Sequence, residues 1–302
     1  MMKIAITGGT GFIGQALTEE LLEHQHEVMI LTRNPDKYDA RPGVTYVKWL
    51  SDGARPEEEL EGIHSLINLA GESINSGRWT EERKKRIINS RINSTREVIN
   101  IIKALKDKPA CLINASAIGY YPSSKTNTYT EASTETADNF LGETVQIWEK
   151  EAAKATQIGI RVAYTRFGII LGKGEGALPR IALPYKMFVG GTVGSGEQWM
   201  SWVHIKDIAR AVHFVAETEG IAGPVNVTAP SPVTMKEFGK TLGTVLGRPH
   251  WIPVPSLALK VAMGEMSALV LEGQRVLPGV LSEHGFQFQY PELKSALIDI
   301  YQ

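Results

Sequence analysis

Twelve residues near the amino terminus, KIAITGGTGFIG from Lys3 to Gly14, constrain the fold most. The apolar run before the glycines predicts a short buried strand, and the stretch from Phe12 to Glu23 predicts an amphipathic helix. Gly8, Gly11 and Gly14 lie three residues apart, a spacing that permits a sharp turn, close approach of a pyrophosphate and tight packing of helix on strand. The stretch therefore predicts dinucleotide binding at a helix N-terminus, with a purely structural turn as the alternative.

Strands and helices alternate through most of the chain. After the first unit, strands are predicted at 27–33, 44–50, 65–70, 110–115 and 160–166, and helices near 85–105, 138–155 and 207–217. This order predicts an α/β fold built on a doubly wound parallel Rossmann sheet.

The pattern of predicted strands and helices changes after Pro224. Glycine-rich loops are predicted at 168–176 and 190–196, and beyond 224 short strands at 225–228 and 250–254 separate helices at 234–246 and 256–271. We therefore expect a Rossmann domain over residues 1–224, with substrate loops near 172–202, and a smaller C-terminal substrate lobe over residues 225–302.

Composition narrows the class of protein. The chain has 32 Lys and Arg against 33 Asp and Glu, a net charge of −1, which argues against nucleic acid as a partner. Cys111 is the one cysteine, in an apolar run, as expected of a core residue in a reducing compartment. The chain starts with a strand rather than a signal peptide, and charges at Lys260 and Glu265 interrupt its most apolar late stretch. We expect a cytoplasmic protein without a membrane segment.

The end of the second strand bears on the choice of cofactor. Sites for NAD place an acid about 20 residues after the glycines, whereas an arginine there suits the 2′-phosphate of NADP. This chain has Arg33 and Asn34 and no acid, which favours NADP. A solvated surface arginine is the alternative.

Ligands of open α/β sheets lie at the carboxyl ends of the strands, so further cofactor contacts are expected there. The predicted cofactor-binding residues are Gly8, Thr10, Gly11, Phe12, Ile13, Gly14, Arg33, Asn34, Trp49, Leu50, Leu69, Ala70, Gly71, Glu72, Arg91, Ala115 and Arg166.

Several motifs carry a resemblance to a known family. TGGTGFIG, ASAIGYY, TRFGIIL, WVHIKDIARAV and PVNVTAP occur in the order found in extended short-chain dehydrogenase/reductases. NLAGE, GRWT, SGEQWMSWVH and GEMSALVLEGQRVLP resemble the atypical branch called epimerase family proteins, which ends in a small domain of unknown function. The resemblance implies a Rossmann sheet with a substrate lobe from the C-terminal part. It also leaves open a homodimer through the two long helices.

The resemblance also implies hydride transfer assisted by a Tyr phenol and by a Lys one helical turn later. Ser116 matches the family's orienting serine, but residues 140–149 contain neither Tyr nor Lys, and Arg91 stands where the family has Asn. Tyr121 and Lys125 have the right spacing, yet Pro122 between them indicates a loop and a coincidental match. The catalytic candidates are therefore Ser116 as orienter and, as the acid, Tyr120, Tyr121 or Glu143.

Aromatic and polar residues later in the chain suggest an organic substrate. The predicted substrate residues are Arg78, Trp79, Trp199, Trp202 and His204, although His204 also suits a structural role. The seven histidines are scattered without a paired spacing, so no metal site is predicted. Three functions remain open: an oxidoreductase or epimerase acting on a small molecule, an NADPH-binding sensor without turnover, and a degenerate scaffold.

Overall fold

Alternating apolar residues of the first strand explain the layering of the molecule. The computed structural model describes residues 1–302. In β1 (Lys3–Thr7), Ile4 and Ile6 join one apolar core while Ala5 joins another. A strand buried on both faces belongs to a sheet that helices cover on both sides.

Thirteen strands form one large and three small sheets. After β1 they are β2 (Glu27–Thr32), β3 (Val44–Lys48), β4 (Ser65–Asn68), β5 (Cys111–Ala117), β6 (Thr128–Tyr129), β7 (Arg161–Phe167), β8 (Ile169–Leu171), β9 (Trp199–Met200), β10 (Trp202–His204), β11 (Gly223–Val227), β12 (Val233–Thr234) and β13 (Arg275–Val276).

Eleven α-helices accompany the strands. They are α1 (Phe12–Glu23), α2 (Pro56–Glu59), α3 (Glu81–Ala104), α4 (Phe140–Ala152), α5 (Leu178–Lys186), α6 (Ile205–Glu217), α7 (Met235–Leu246), α8 (Ser256–Met263), α9 (Ala268–Leu271), α10 (Gly279–Glu283) and α11 (Leu293–Tyr301).

The seven-stranded sheet has the order β11-β7-β5-β4-β1-β2-β3 and is parallel throughout. Helices α1 and α6 pack together on the face that carries Ile4 and Ile6, and α3 and α4 pack together on the other side. The strand order reverses between β1 and β4, where doubly wound folds bind ligands. This confirms the predicted Rossmann architecture.

A smaller body packs beside the sheet. Helices α5, α7 and α11 share an apolar core that includes Tyr185, Phe238 and Leu297. The predicted boundary at residue 224 falls inside β11, which pairs with β7, so the strand assigned to the lobe lies in the main sheet. None of the helices combines the length and apolarity needed to cross a bilayer.

Three local predictions after β7 are wrong. The glycine-rich stretch 168–176 contains β8, which pairs with β10. Residues 250–254 form no strand apart from one bridge of Val254 to Val193, since prolines in this stretch remove backbone donors. The predicted helix 256–271 is interrupted at Gly264, whose φ of +60° is left-handed.

The close contact of α1 with the first turn generates a testable prediction. A Cβ on Gly14 would lie 2.4 Å from the Gly8 carbonyl oxygen and 2.4 Å from Gly9 Cα. We expect Gly14→Ala to lower the free energy of unfolding by about 1–3 kcal/mol, because backbone on both sides must move. Urea unfolding measures the change. Gly220→Ala is the control, since its nearest neighbour would be 3.7 Å away; equal stabilities of the two variants would contradict the prediction.

Candidate functional site

The turn between β1 and α1 is shaped for close approach of a ligand. Gly8 has a φ of +69°, and a Cβ there would lie 2.9 Å from the Leu69 main chain. Gly11 precedes α1, and no side chain caps the helix. Unpaired N–H groups of the first helical turn therefore face a cradle without side chains, which fits a pyrophosphate.

The other predicted residues of this turn differ in where their side chains lie. Thr10 and Ile13 are half-buried beside the glycines. The Phe12 ring lies against Gly172 and Gly176. It therefore packs under the later loop, while its N–H remains at the start of α1.

The end of β2 presents a free cation. Arg33 and Asn34 follow the strand directly, are exposed, and make no side-chain hydrogen bond or ion pair within the chain. Trp49, predicted as a cofactor contact, is instead 4 % exposed and lies in a core with Leu60 and Ile63. Its neighbour Leu50 is exposed, so of the two predicted contacts after β3 only Leu50 is accessible to a cofactor.

The segment after β4 and helix α3 meet at Arg91. Its guanidinium donates to the carbonyls of Glu72, at 3.1 Å, and Ile87, at 3.0 Å, and lies over the Trp148 ring. Burial lowers the pKa of Arg91 to about 10, which leaves it charged at neutral pH. Gly71 lies against the same side chain. The Arg91 guanidinium therefore lines the main chain of residues 69–72, which are predicted cofactor contacts.

A buried polar network lies at the carboxyl ends of β5 and β7. Ser116 Oγ donates to Glu149 Oε1 at 2.6 Å. Arg166 donates to both oxygens of Glu149, at 2.8 and 2.7 Å, and to the Tyr121 hydroxyl at 2.8 Å. Tyr121 in turn donates to Asn226 at 2.9 Å. The network ties α4 to three neighbouring strands.

This network changes the roles of two predicted residues. Burial by itself lowers the pKa of Arg166, but the hydrogen bonds and charge of Glu149 outweigh it and raise the pKa above the usual value. All three guanidinium nitrogens of Arg166 donate to protein atoms. The prediction that Arg166 contacts the cofactor is therefore wrong. Tyr121 is fully buried and burial raises the pKa of its phenol, so the prediction of a catalytic acid there is wrong.

The other two predicted acids differ in setting. Tyr120 is half-buried, and the Arg166 guanidinium lies 3.5 Å from the centre of its ring. Its hydroxyl makes no hydrogen bond within the chain, so it is free for a ligand. Glu143 is exposed on α4 and has no partner. Ala115, a predicted cofactor contact, is buried in β5 next to Ser116.

Sequence reasoning missed Glu149. Its neighbours Val145, Trp148 and Ala152 form the buried side of α4, so the carboxylate lies on an apolar face. A buried carboxylate needs a cation as its partner, so Arg166 within the largely apolar strand β7 could have indicated a buried acid nearby.

A cleft of about 450 Å³ opens between the start of α4 and the C-terminal lobe. Trp79, Phe140 and Leu141 form one wall, and residues 260–272 form the other. Leu141 packs against Gly119 at the end of β5, which brings the cleft next to Tyr120. Lys260 contributes a positive charge among the lining residues.

Of the five predicted substrate residues, one lines this cleft. Trp79 does so, and Arg78 at its edge donates to the Ala262 carbonyl at 3.1 Å. Trp199 donates to the Lys125 carbonyl away from the cleft lining. Trp202 is fully buried in the lobe core, so the prediction of a substrate contact there is wrong.

His204 has the structural role that the sequence left open. Its Nδ1 accepts from the Lys206 N–H at 3.2 Å and so caps α6, which starts two residues before the predicted Asp207. Burial lowers the pKa of His204 to about 4. The ring is 1 % exposed and does not face a ligand.

The buried ion pair generates a prediction about stability. Arg166→Met would leave the Glu149 carboxylate buried without its cation, a change that costs about 3–5 kcal/mol. Arg41→Met removes the exposed pair with Glu19 and should cost no more than about 1 kcal/mol. Urea unfolding of both variants measures the difference, and similar losses would refute a structural role for the buried pair.

Comparison with known proteins identifies the family of this chain. The model of the NAD dependent epimerase/dehydratase family matches residues 4–228, and that of a domain of unknown function, DUF1731, matches residues 254–300. The epimerase family protein YfhF of Bacillus subtilis is 51% identical over 296 residues, which cover 98% of this chain and 97% of the relative.

Solved structures share the fold. The crystal structure of the human epimerase family protein SDR39U1 (isoform 2) with NADPH has a TM-score of 0.86 and 33% identity, over 99% of each chain. UDP-glucose 4-epimerase of Thermus thermophilus, in complex with NAD, has a TM-score of 0.77 at 16% identity, over 99% of this chain and 98% of that one. From the whole-length match to YfhF and the family model over residues 4–228, the chain belongs to the NAD dependent epimerase/dehydratase family.

Proposed function

We propose that this protein binds NADP(H) in preference to NAD(H) and reduces or oxidises a small organic molecule held in the cleft beside Trp79. The free guanidinium of Arg33 at the end of β2 carries the choice of cofactor. A positive fork at that place suits a 2′-phosphate, and neither of the two residues directly after β2 is an acid that could accept from a ribose hydroxyl. The NADPH in the human relative is consistent with this choice.

The cofactor preference can be measured directly. We expect protein stripped of nucleotide to bind NADPH more tightly than NADH in isothermal titration. Arg33→Ala should weaken NADPH binding about 10–100-fold and leave NADH binding unchanged, because a hydrogen bond to a charged group contributes about 1.5–3 kcal/mol. Arg55→Ala, an exposed arginine paired with Glu58, is the control. Equal affinities of the unaltered protein for both nucleotides would refute the proposal.

The residues around the cleft suggest how a proton is handled. The nicotinamide ring supplies or accepts the hydride when the cofactor is bound. The Ser116 hydroxyl donates its hydrogen bond to Glu149, so its oxygen can only accept a hydrogen bond from a ligand. The Tyr120 phenol is free and is held by stacking on Arg166, so we assign it the proton transfer.

Tyr120→Phe tests that assignment. It should lower turnover at least about 100-fold, the usual effect of removing a general acid, without changing NADPH affinity. Loss of NADPH absorbance with a panel of aldehydes, ketones and sugar nucleotides measures turnover. Tyr38→Phe, on the exposed surface, is the control. Unchanged turnover in Tyr120→Phe would remove Tyr120 from the reaction and return the role to Glu143.

A second function, NADPH binding without turnover, rests on α4. The helix carries no Tyr, and its one Lys, Lys150, is exposed. A sensor would bind NADPH, leave it unoxidised with every compound of the panel, and capture a partner protein only in one nucleotide state. Oxidation of NADPH by any panel compound, lost in Tyr120→Phe, would decide for the enzyme.

The remaining expectations concern partners and location. A homodimer through α3 and α4 and a cytoplasmic location stay predictions. The hollow between these two helices is lined by charged residues that include Arg96, Lys103 and Glu151, so a pairing surface there would be polar.

A further inference from the structure

Three histidines meet at the end of the sheet opposite the glycine turn. His24 and His26 follow α1, and His213 lies in α6, which packs against α1. Glu20 and Glu217 approach the same rings. The premise of the earlier prediction, that the histidines are scattered, is therefore wrong for these three.

Main-chain hydrogen bonding fixes where the protons of this cluster lie. The Met2 N–H donates to His26 Nδ1 at 3.0 Å, so neutral His26 carries its proton on Nε2. His26 Nε2 lies 2.9 Å from His213 Nε2 and must donate to it. His213 then carries its proton on Nδ1, 3.4 Å from Glu20 Oε1. Each proton in the cluster has one assignable position.

The positions of these protons help to choose between two groups of residues that could hold a metal ion. One group is His26, His213 and Glu217, and the other is Glu20, His24 and His213; in each, one ligand atom per residue lies within 4.8 Å of the others. His26 has no lone pair on Nε2, and its Nδ1 faces a main-chain donor. His26 could bind an ion through Nε2 only by giving up this main-chain hydrogen bond, which favours the second group.

Two of the three ligand spacings in the second group match a tetrahedral ion. Glu20 Oε1 lies 3.4 Å from His24 Nδ1 and 3.4 Å from His213 Nδ1. Bonds of about 2.0–2.1 Å in a tetrahedron place neighbouring ligand atoms about 3.3 Å apart. His24 Nδ1 donates to the Glu20 carbonyl at 2.8 Å, but the ring is 53% exposed and can turn either nitrogen toward an ion.

Glu217 completes the arrangement without being a ligand. An ion on His213 Nδ1 moves that proton to Nε2, so the hydrogen bond from His26 is lost and the two rings must move apart. Glu217 Oε1 lies 3.4 Å from His213 Nε2 and can accept this proton, and it lies 3.8 Å from His26 Nε2. A carboxylate that accepts the second N–H of a ligating histidine is a common support of metal sites.

We propose that Glu20, His24 and His213 bind a divalent cation of the zinc class, with Glu217 positioning His213. Two imidazoles and one carboxylate suit Zn²⁺, Co²⁺ or Ni²⁺ and leave a fourth position for water. The cation binds where α1 and α6 both end, and the negative ends of two helix dipoles favour positive charge there. It joins the two helices and so stabilises the fold.

Titration of the full-length, metal-free protein near neutral pH tests the proposal. Zn²⁺ should bind in a 1:1 ratio and raise the melting temperature, and Co²⁺ should give the visible absorption of a four-coordinate ion. His24→Gln and Glu20→Gln should abolish both signals, and Glu217→Gln should weaken binding about 10–100-fold. His284→Gln is the control, since His284 is exposed and outside the cluster.

His26→Gln distinguishes the two groups. It should retain 1:1 Zn²⁺ binding, because His26 is not a ligand, while its own melting temperature shows whether the fold persists. Loss of binding in folded His26→Gln, full binding in His24→Gln, or no Zn²⁺ binding by the unaltered protein would each overturn the proposal. NADPH titration of the same variants is independent, so failure here leaves the cofactor assignment standing.

Discussion

The buried ion pair of Glu149 and Arg166 holds helix α4 against the carboxyl ends of β5 and β7. Taking both charges out of water is costly, and only good geometry with further hydrogen bonds repays it. Here the guanidinium meets both carboxylate oxygens, and Ser116 and Tyr121 satisfy what remains. The pair therefore fixes α4 against β5 and β7 in one register, since neither group has another oppositely charged partner in the interior.

The same pair decides which side chains are left for chemistry. Helix α4 supplies a structural carboxylate to the sheet where a Tyr and Lys pair would serve an ordinary member of the resembled family. Ser116 and Tyr121 are committed to this network, so they cannot exchange protons with a ligand without breaking it. A free proton donor must then come from the turn after β5, and Tyr120 is the residue that the geometry leaves there.

The structural features that the sequence predicted are local. The turn from Gly8 to Gly14 and the apolar runs of the strands depend on neighbours in the chain, and patterns of spacing record them directly. The buried polar network depends instead on residues far apart in the chain. Tyr121 contacts Asn226 at a separation of 105 residues, and no spacing rule predicts that contact. Trp49 and Trp202 show the related limit, because an aromatic residue at a strand end suits a core and a ligand equally well.

The two ligand sites proposed for this chain share one helix. Helix α1 has 12 residues, so its ends lie about 18 Å apart, with the glycine turn at one end and Glu20 and His24 at the other. A phosphate at its start and a cation at its end both complement the helix dipole, but each acts on the nearest turn alone. The free energy of metal binding therefore adds to the stability of the packed helices α1 and α6 and leaves the affinity for nucleotide unchanged.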